Sequence, residues 1–256
     1  MIDLHAHILP GIDDGPATSA EALAIARAAV AAGTSVLAAT PHVNTRFNPS
    51  PARIDESLAE LRELLAEERI PLALESGAEV AQSRLADIDD AALRALALGA
   101  GRHVLLECEP PGRDVEADVA DLLVRGHGVL LAHAERCRIF RADPTLVARL
   151  VDAGARVSVT AASLTGAFGR GPQALALALL ERGLVHDVSS DAHDVEMRSP
   201  DRRGAARVVR RMRRGVAWWR WLSSEAPAAV LEGEELPPAP DRPPVGRRSP
   251  LGRLLR

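Results

Sequence analysis

Short apolar runs alternate with amphipathic stretches along most of the chain. The runs Ile2–His5, Ser35–His42, Leu72–Val80, His103–Cys108, Gly128–His133, Arg156–Ala161 and Leu184–Asp191 read as strands. Each is short, apolar and mostly unbroken, the pattern of a strand covered on both faces. Between them the apolar positions recur at helical spacing. Thr18 or Ser19 can cap a helix that passes through Leu23, Ile25 and Val30 and stops at Gly33. Pro51–Arg69 carries Ile54, Leu58, Leu61, Leu64 and Leu65 at helical spacing, and Asp87–Ala97, Val115–Arg125, Pro144–Ala153, Pro172–Arg182 and Arg202–Arg214 look similar. Strands alternating with helices predict an α/β fold with a parallel sheet. Residues 237–256 are rich in Pro, Arg and Gly, and read as a flexible tail after a single domain spanning 1–236.

The polar residues decide what kind of sheet this is. The first strand leads into Asp3-Leu4-His5-Ala6-His7, and imidazoles at i and i+2 of an extended segment share one side. The second strand ends at His42, the third at Glu79, the fourth in Glu107, the fifth at His133 and the seventh in Asp191-Ala192-His193; the first loop carries Asp13-Asp14. A buried imidazole or carboxylate ending an apolar strand is costly unless it is paired or ligated. Carboxylates gathered together also raise one another's pKa. Divalent cations remove both conflicts. A closed or nearly closed barrel of about seven strands brings all the strand ends to one C-terminal mouth, where an open sheet would spread them in a row. The expected metal ligands are His5, His7, Asp14, His42, Glu79, Glu107, His133, Asp191 and His193. This imidazole and carboxylate set, without thiolate, suits Mn, Fe or Zn. It is too large for one ion and fits two or three, with bridging carboxylates. Such a cluster activates water and holds phosphoryl oxygens, so the expected reaction is metal-assisted hydrolysis of a phosphate ester. Arg136 and Arg198 follow His133 and His193 closely enough to bind phosphate at the same mouth, and Arg46 is a third candidate. His103, His127 and His186 read as structural or surface residues.

Composition narrows the classes further. A net charge of −4 over 256 residues leaves no basic field for nucleic acid. No apolar run reaches the roughly 18 residues of a membrane helix, and Met-Ile-Asp-Leu-His does not resemble a secretory signal, so a cytoplasmic enzyme without membrane insertion is expected. All 31 basic residues are Arg, which excludes lysine Schiff bases and Walker-type loops. Cys108 and Cys137 read as buried thiols; neither begins a Cys-x5-Arg loop, so thiol-based phosphatase chemistry is excluded. The Trp218, Trp219 and Trp221 cluster is expected to pack rather than bind.

These motifs resemble the PHP (polymerase and histidinol phosphatase) superfamily, and the long first motif, Ile2 to Gly15, is similar to the bacterial tyrosine-protein phosphatases of the CpsB/YwqE type. Further matches are Ala39-Thr40-Pro41-His42, Ser76-Gly77-Ala78-Glu79, His133-Ala134-Glu135-Arg136, Ser163-Leu164-Thr165-Gly166 with Phe168-Gly169, and Ser190-Asp191-Ala192-His193. The resemblance implies a distorted (β/α)7 TIM-like barrel of the PHP fold with a trinuclear site, often Mn. By motif, His5, His7, Glu79 and Asp191 would hold one ion, Glu79, Glu107 and His133 a second, and Asp14, His42 and His193 a third. A metal-bridged hydroxide would be the nucleophile, and Arg136 and Arg198 would bind the phosphate. The implied substrate is a phosphotyrosine-bearing protein tail, that of a tyrosine autokinase controlling capsule or exopolysaccharide synthesis. The alternative is a small-molecule PHP phosphoesterase acting on a histidinol phosphate-like or nucleotide-like substrate. The chain departs from the family in His42-Val43, where His-His is usual, in Ala134, where Pro is usual, and in Met197-Arg198-Ser199-Pro200, which lacks the usual aromatic.

Overall fold

All strand pairing in the sheet is parallel, as the alternation of elements requires. The structure is a computed structural model and describes residues 1–99, 101–108 and 113–240. The strands are β1 (Ile2–Ala6), β2 (Val36–Ala39), β3 (His42–Val43), β4 (Ala73–Glu75), β5 (Glu79–Ala81), β6 (His103–Glu107), β7 (Gly128–Leu131), β8 (Arg156–Thr160) and β9 (Asp187–Ser189). They form two sheets of order β1-β2-β4 and β3-β5-β6-β7-β8-β9. The helices are α1 (Ser19–Ala31), α2 (Pro51–Glu67), α3 (Asp90–Ala95), α4 (Val115–Val124), α5 (Arg138–Ala142), α6 (Pro144–Asp152), α7 (Ala161–Thr165), α8 (Arg170–Arg182), α9 (Arg203–Val209), α10 (Gly215–Arg220) and α11 (Ala226–Glu232). Among the described residues no helix is long and apolar enough to cross a membrane. Of the expected tail, residues 241–256 lie outside the described residues.

Two of the expected strands are each broken in two. Ser35–His42 splits into β2 and β3 around Thr40-Pro41, because Pro41 has no N–H for the ladder. The Thr40 hydroxyl takes up the neighbouring strand instead, accepting from the Ala6 N–H at 3.0 Å. Leu72–Val80 splits into β4 and β5 at Gly77. A Cβ there would meet Leu98 Cδ2 at 2.7 Å, so any larger residue would have to displace the buried Leu98 side chain. The short helices α5, α7, α10 and α11 were not separately legible in the periodicity.

The last strand meets the first. The His7 N–H donates to the Ala192 carbonyl and the Asp191 N–H to the His5 carbonyl, both at 2.8 Å. Arg202, fully buried, joins the other ends of the same strands by donating to the carbonyls of Ile2 at 2.7 Å and Val188 at 2.9 Å.

Successive residues of the sheet serve opposite faces. Val104, Leu106, Val129, Leu131, Val157, Val159 and Val188 join the large core shared with the helices. Leu105, Leu130 and Ala132 instead meet Leu4 and Ala38 in a smaller apolar cluster, closed by Val230 and Leu231 of α11. Trp218, Trp219 and Trp221 are buried, as expected, and the Trp221 indole donates to the Pro237 carbonyl at 3.0 Å. Cys108 and Cys137 are both buried, as expected.

One buried carboxyl on this scaffold is held well above the usual carboxylate range although the charge of Arg202 opposes the shift. Burial pushes Asp187 up to about 7, with the nearby Asp3 adding to the effect and a 2.6 Å hydrogen bond from Ser158 opposing it. A carboxyl whose folded pKa is raised stabilises the fold fully below its unfolded value, and that stability is lost as pH rises through the folded value. The stability advantage of the wild type over Asp187→Asn should therefore decline between about pH 4 and pH 7, by the order of a few kcal/mol. Urea melts of the two proteins across this range measure it; a difference independent of pH would contradict the assignment.

Candidate metal centre

Strand ends and the loops that follow them supply the whole centre. His5 is the penultimate residue of β1, and His7 comes directly after the strand. Gly15 lets the first loop fold against this segment, since a Cβ there would lie 2.7 Å from the His7 carbonyl oxygen. His42 opens β3 and Glu79 opens β5, and these two residues are register partners. Glu107 ends β6, His133 follows β7, and Asp191 and His193 follow β9. His133 and Asp191 have φ of 30° and 54°, left-handed values that a non-glycine residue adopts only when its surroundings hold it there.

All nine sequence-predicted ligands come together. Their donor atoms form four overlapping groups, each within 4.8 Å: His7, Asp14, His42 and His193; His5, Glu79 and His133; His5, His7 and Asp191; and His42, Glu79 and Glu107. Glu79 lies at the middle. Its Oε2 is 2.9 Å from His42 Nδ1 and 3.3 Å from the Nε2 of both His5 and His7, while Oε1 is 2.6 Å from His133 Nε2. Asp191 Oδ1 is 3.4 Å from His5 Nε2 and 3.6 Å from His7 Nε2. Asp14 Oδ1 lies 3.3 Å from His193 Nε2 and 3.5 Å from His42 Nε2.

The donor set fits cations. Glu79 Oε2, Asp191 Oδ1 and His193 Nε2 are buried and have no hydrogen-bond partner, yet all point into the cluster. Orphaned buried groups of this kind are rare unless something else satisfies them. Two carboxylates and imidazole nitrogens with converging lone pairs are the ligand set of Mn, Fe or Zn.

The charges compensate one another through the chain's own groups. Burial alone would deprotonate His7, but the hydrogen bond to Asp13 and the negative charge of the nearby Asp13 and Glu79 carboxylates outweigh it and raise its pKa to about 10. Asp13 in turn is held near 2, because the His7 bond and charge overcome burial. Burial also opposes ionisation of Glu79 and Asp191, but the surrounding imidazoles, with Arg198 for Asp191, keep both well below the usual carboxylate range. Burial lowers His193 to about 3, with the charges of His7 and Arg198 adding to it.

Arg136 and Arg198 reach the same rim. Arg136 sits on the turn after His133, and the Asp194 carboxylate gathers the N–H groups of Glu196, Met197 and Arg198 into a turn that returns Arg198 to the cluster. Both guanidinium groups donate to Asp191 Oδ2, Arg198 at 2.6 Å. Their side chains remain 31% and 26% exposed, so each faces solvent as well as the carboxylate. A cleft of about 470 Å³ opens at Asp14 and His193, lined also by Gly15, Pro16, Glu21 and Met197 among others, with neither arginine in its lining. Arg46 does not join the pair; its guanidinium lies 4.7 Å over the Phe47 ring. His103, His127 and His186 are structural, as expected, held by the Val230 carbonyl, Asp90 and the Val157 N–H.

Asp13 is the functional residue that sequence reasoning passed over. It bonds His7 Nδ1 at 2.5 Å and also accepts from the N–H groups of Gly15 and His42. It thereby turns His7 Nε2 toward the centre. The tandem Asp13-Asp14 was the available signal. Removing such a support typically lowers metal affinity 10–100-fold. Asp13→Asn should do so while leaving the fold intact, which calorimetric titration with Mn would measure; an unchanged affinity would show that Asp13 plays no part in holding the centre.

The family described as "Capsular polysaccharide synthesis, CpsB/CapC" matches residues 1–232. The tyrosine-protein phosphatase YwqE of Bacillus subtilis (strain 168) is 36% identical over 239 residues, covering 92% of this chain and 91% of that protein. The tyrosine-protein phosphatase CpsB of Streptococcus pneumoniae is 27% identical over 209 residues, 78% of this chain and 86% of its own. A solved structure from work on B. subtilis YwqE and S. pneumoniae CpsB, described as unique metal-dependent tyrosine phosphatases, superposes with a TM-score of 0.78 at 32% identity, over 95% of this chain and all of that one.

Proposed function

Because the chain belongs to the CpsB/CapC family of capsular polysaccharide synthesis, we propose that it is a metal-dependent phosphotyrosine-protein phosphatase. The observation that carries this reading is the convergence of nine imidazole and carboxylate side chains, several with buried unpartnered donor atoms, beside two half-exposed arginines.

The site belongs to the C-terminal mouth of a distorted (β/α)7 barrel occupying residues 1–236. Two features support the barrel: β2 with β3, and β4 with β5, count as single strands interrupted at Pro41 and Gly77, and the end of β9 bonds to the end of β1. His5, His7, Glu79 and Asp191 would hold one Mn, Glu79, Glu107 and His133 a second, and Asp14, His42 and His193 a third. Bound ions would supply an acidified water and positive charge for the phosphoryl oxygens.

The chain's own part is to bind and orient. Arg136 and Arg198 present guanidinium forks to an incoming phosphate, each giving up part of its bond to Asp191 as it does so. Their fixed positive charge also favours the negative charge that gathers on the transferring group. Asp13 keeps His7 in the tautomer that offers Nε2 to the centre. No cysteine takes part, since both thiols are buried. The substrate is a phosphotyrosine-bearing tail of a bacterial tyrosine kinase, met in the cytoplasm.

Phosphate release from a phosphotyrosine peptide tests the reading. Release should stop when metal is stripped by a chelator and return when Mn is added back. Arg136→Ala and Arg198→Ala should each lower kcat/KM by about 10²-fold, the scale of losing one charged contact in the transition state. Release that survives chelation, or that is indifferent to both substitutions, would refute the proposal.

A further inference from the structure

Aromatic side chains are scarce in this chain: three Phe, three Trp and no Tyr. Trp218, Trp219, Trp221 and Phe140 are buried in the core. The two remaining rings, Phe47 and Phe168, are the partly exposed ones, and both stand beside the proposed metal centre. Phe47, in the loop after β3, lies parallel to the His42 imidazole, with 7° between the planes and 6.1 Å between centroids. Phe168, in the turn after α7, lies 4.7 Å beneath the Arg136 guanidinium. Arg46 covers Phe47 at the same distance. In the sheet, β5, β6 and β7 lie between β3 and β8, the strands that precede the two rings in the chain.

We propose that Phe47 and Phe168 are the walls that recognise the aryl group of the substrate, receiving the phenyl ring of an aryl phosphate monoester whose phosphate is held by Arg136 and Arg198. This rests on the phosphatase reading above and names what selects its substrate. Neither ring belongs to the large core, and a chain that otherwise buries its aromatics has kept these two partly exposed. Arg136 over Phe168 fixes that ring's plane and leaves its other face for an offset or edge-on aromatic contact, while Phe47, covered by Arg46 and parallel to His42, offers its edge. An alkyl phosphate such as phosphoserine has only a methylene where the phenyl would lie, and gains none of this.

Binding of phenylphosphonate and methylphosphonate to the Mn-loaded protein, measured by titration calorimetry, tests the proposal without turnover. The wild type should prefer phenylphosphonate. Phe47→Leu and Phe168→Leu, which keep apolar bulk, should each cut that preference about two- to tenfold, with methylphosphonate affinity moving less than twofold. Phosphotyrosine and phosphoserine peptides should give the same ordering in kcat/KM. A preference untouched by either substitution would overturn the proposal. So would parallel loss of both phosphonates, the behaviour of rings that merely support His42 and Arg136. A phenyl preference that depends on the rings, in a protein that hydrolyses no phosphate ester, would uphold the walls and refute the phosphatase reading.

Discussion

Two carboxylates, Glu79 and Asp191, are buried among five imidazoles, and the architecture around them follows from the need to keep that charge tolerable. Each is almost wholly shielded from water. An isolated buried carboxylate costs far more than a single hydrogen bond returns. Here the cost is offset by imidazoles, by Arg136 and Arg198 on Asp191, and by a cation-binding geometry that leaves one oxygen of each carboxylate free of hydrogen-bond donors. The same oxygens that would be liabilities in a sealed core become ligands when a divalent ion is present.

The scaffold serves this by dividing one face of the sheet into two zones. Toward the strand starts, Leu4, Ala38, Leu105 and Leu130 form an apolar floor that α11 closes. Toward the strand ends the same face carries His5, Glu79, Glu107 and Asp191 with the histidines of the adjoining loops. The floor excludes water from beneath the ligands, and backbone bonds between β1 and β9 hold the first and last ligand-bearing segments at a fixed separation. The left-handed backbone at His133 and Asp191 is concentrated at this rim, where a displaced side chain would weaken the centre most.

Much of this was legible in the sequence because strand ends mark themselves. An apolar run closing on His or Glu names both the element and a candidate ligand, and these residues converge with Asp14 of the first loop and Asp191 after the last strand. Parallel α/β organisation followed from the alternation of periods. The breaks at Pro41 and Gly77 were less legible, since a strand interrupted for two or three residues keeps the same apolar pattern on either side. Arg202 was invisible for another reason: at the start of an arginine-rich helix nothing in the pattern separates one buried guanidinium from its exposed neighbours. Asp13 and the two half-exposed phenylalanines belong to loops, where no periodicity says which way a side chain points.

The central claim is that the gap between the orphaned oxygens and the imidazoles is built for metal. Crystals of the protein soaked in Mn and measured at the Mn absorption edge address it most directly. Anomalous peaks should appear bonded to Glu79 Oε2 and Asp191 Oδ1, with His5 and His7 turned toward the same density. A map without such peaks, in which those oxygens keep only imidazole neighbours, would contradict it.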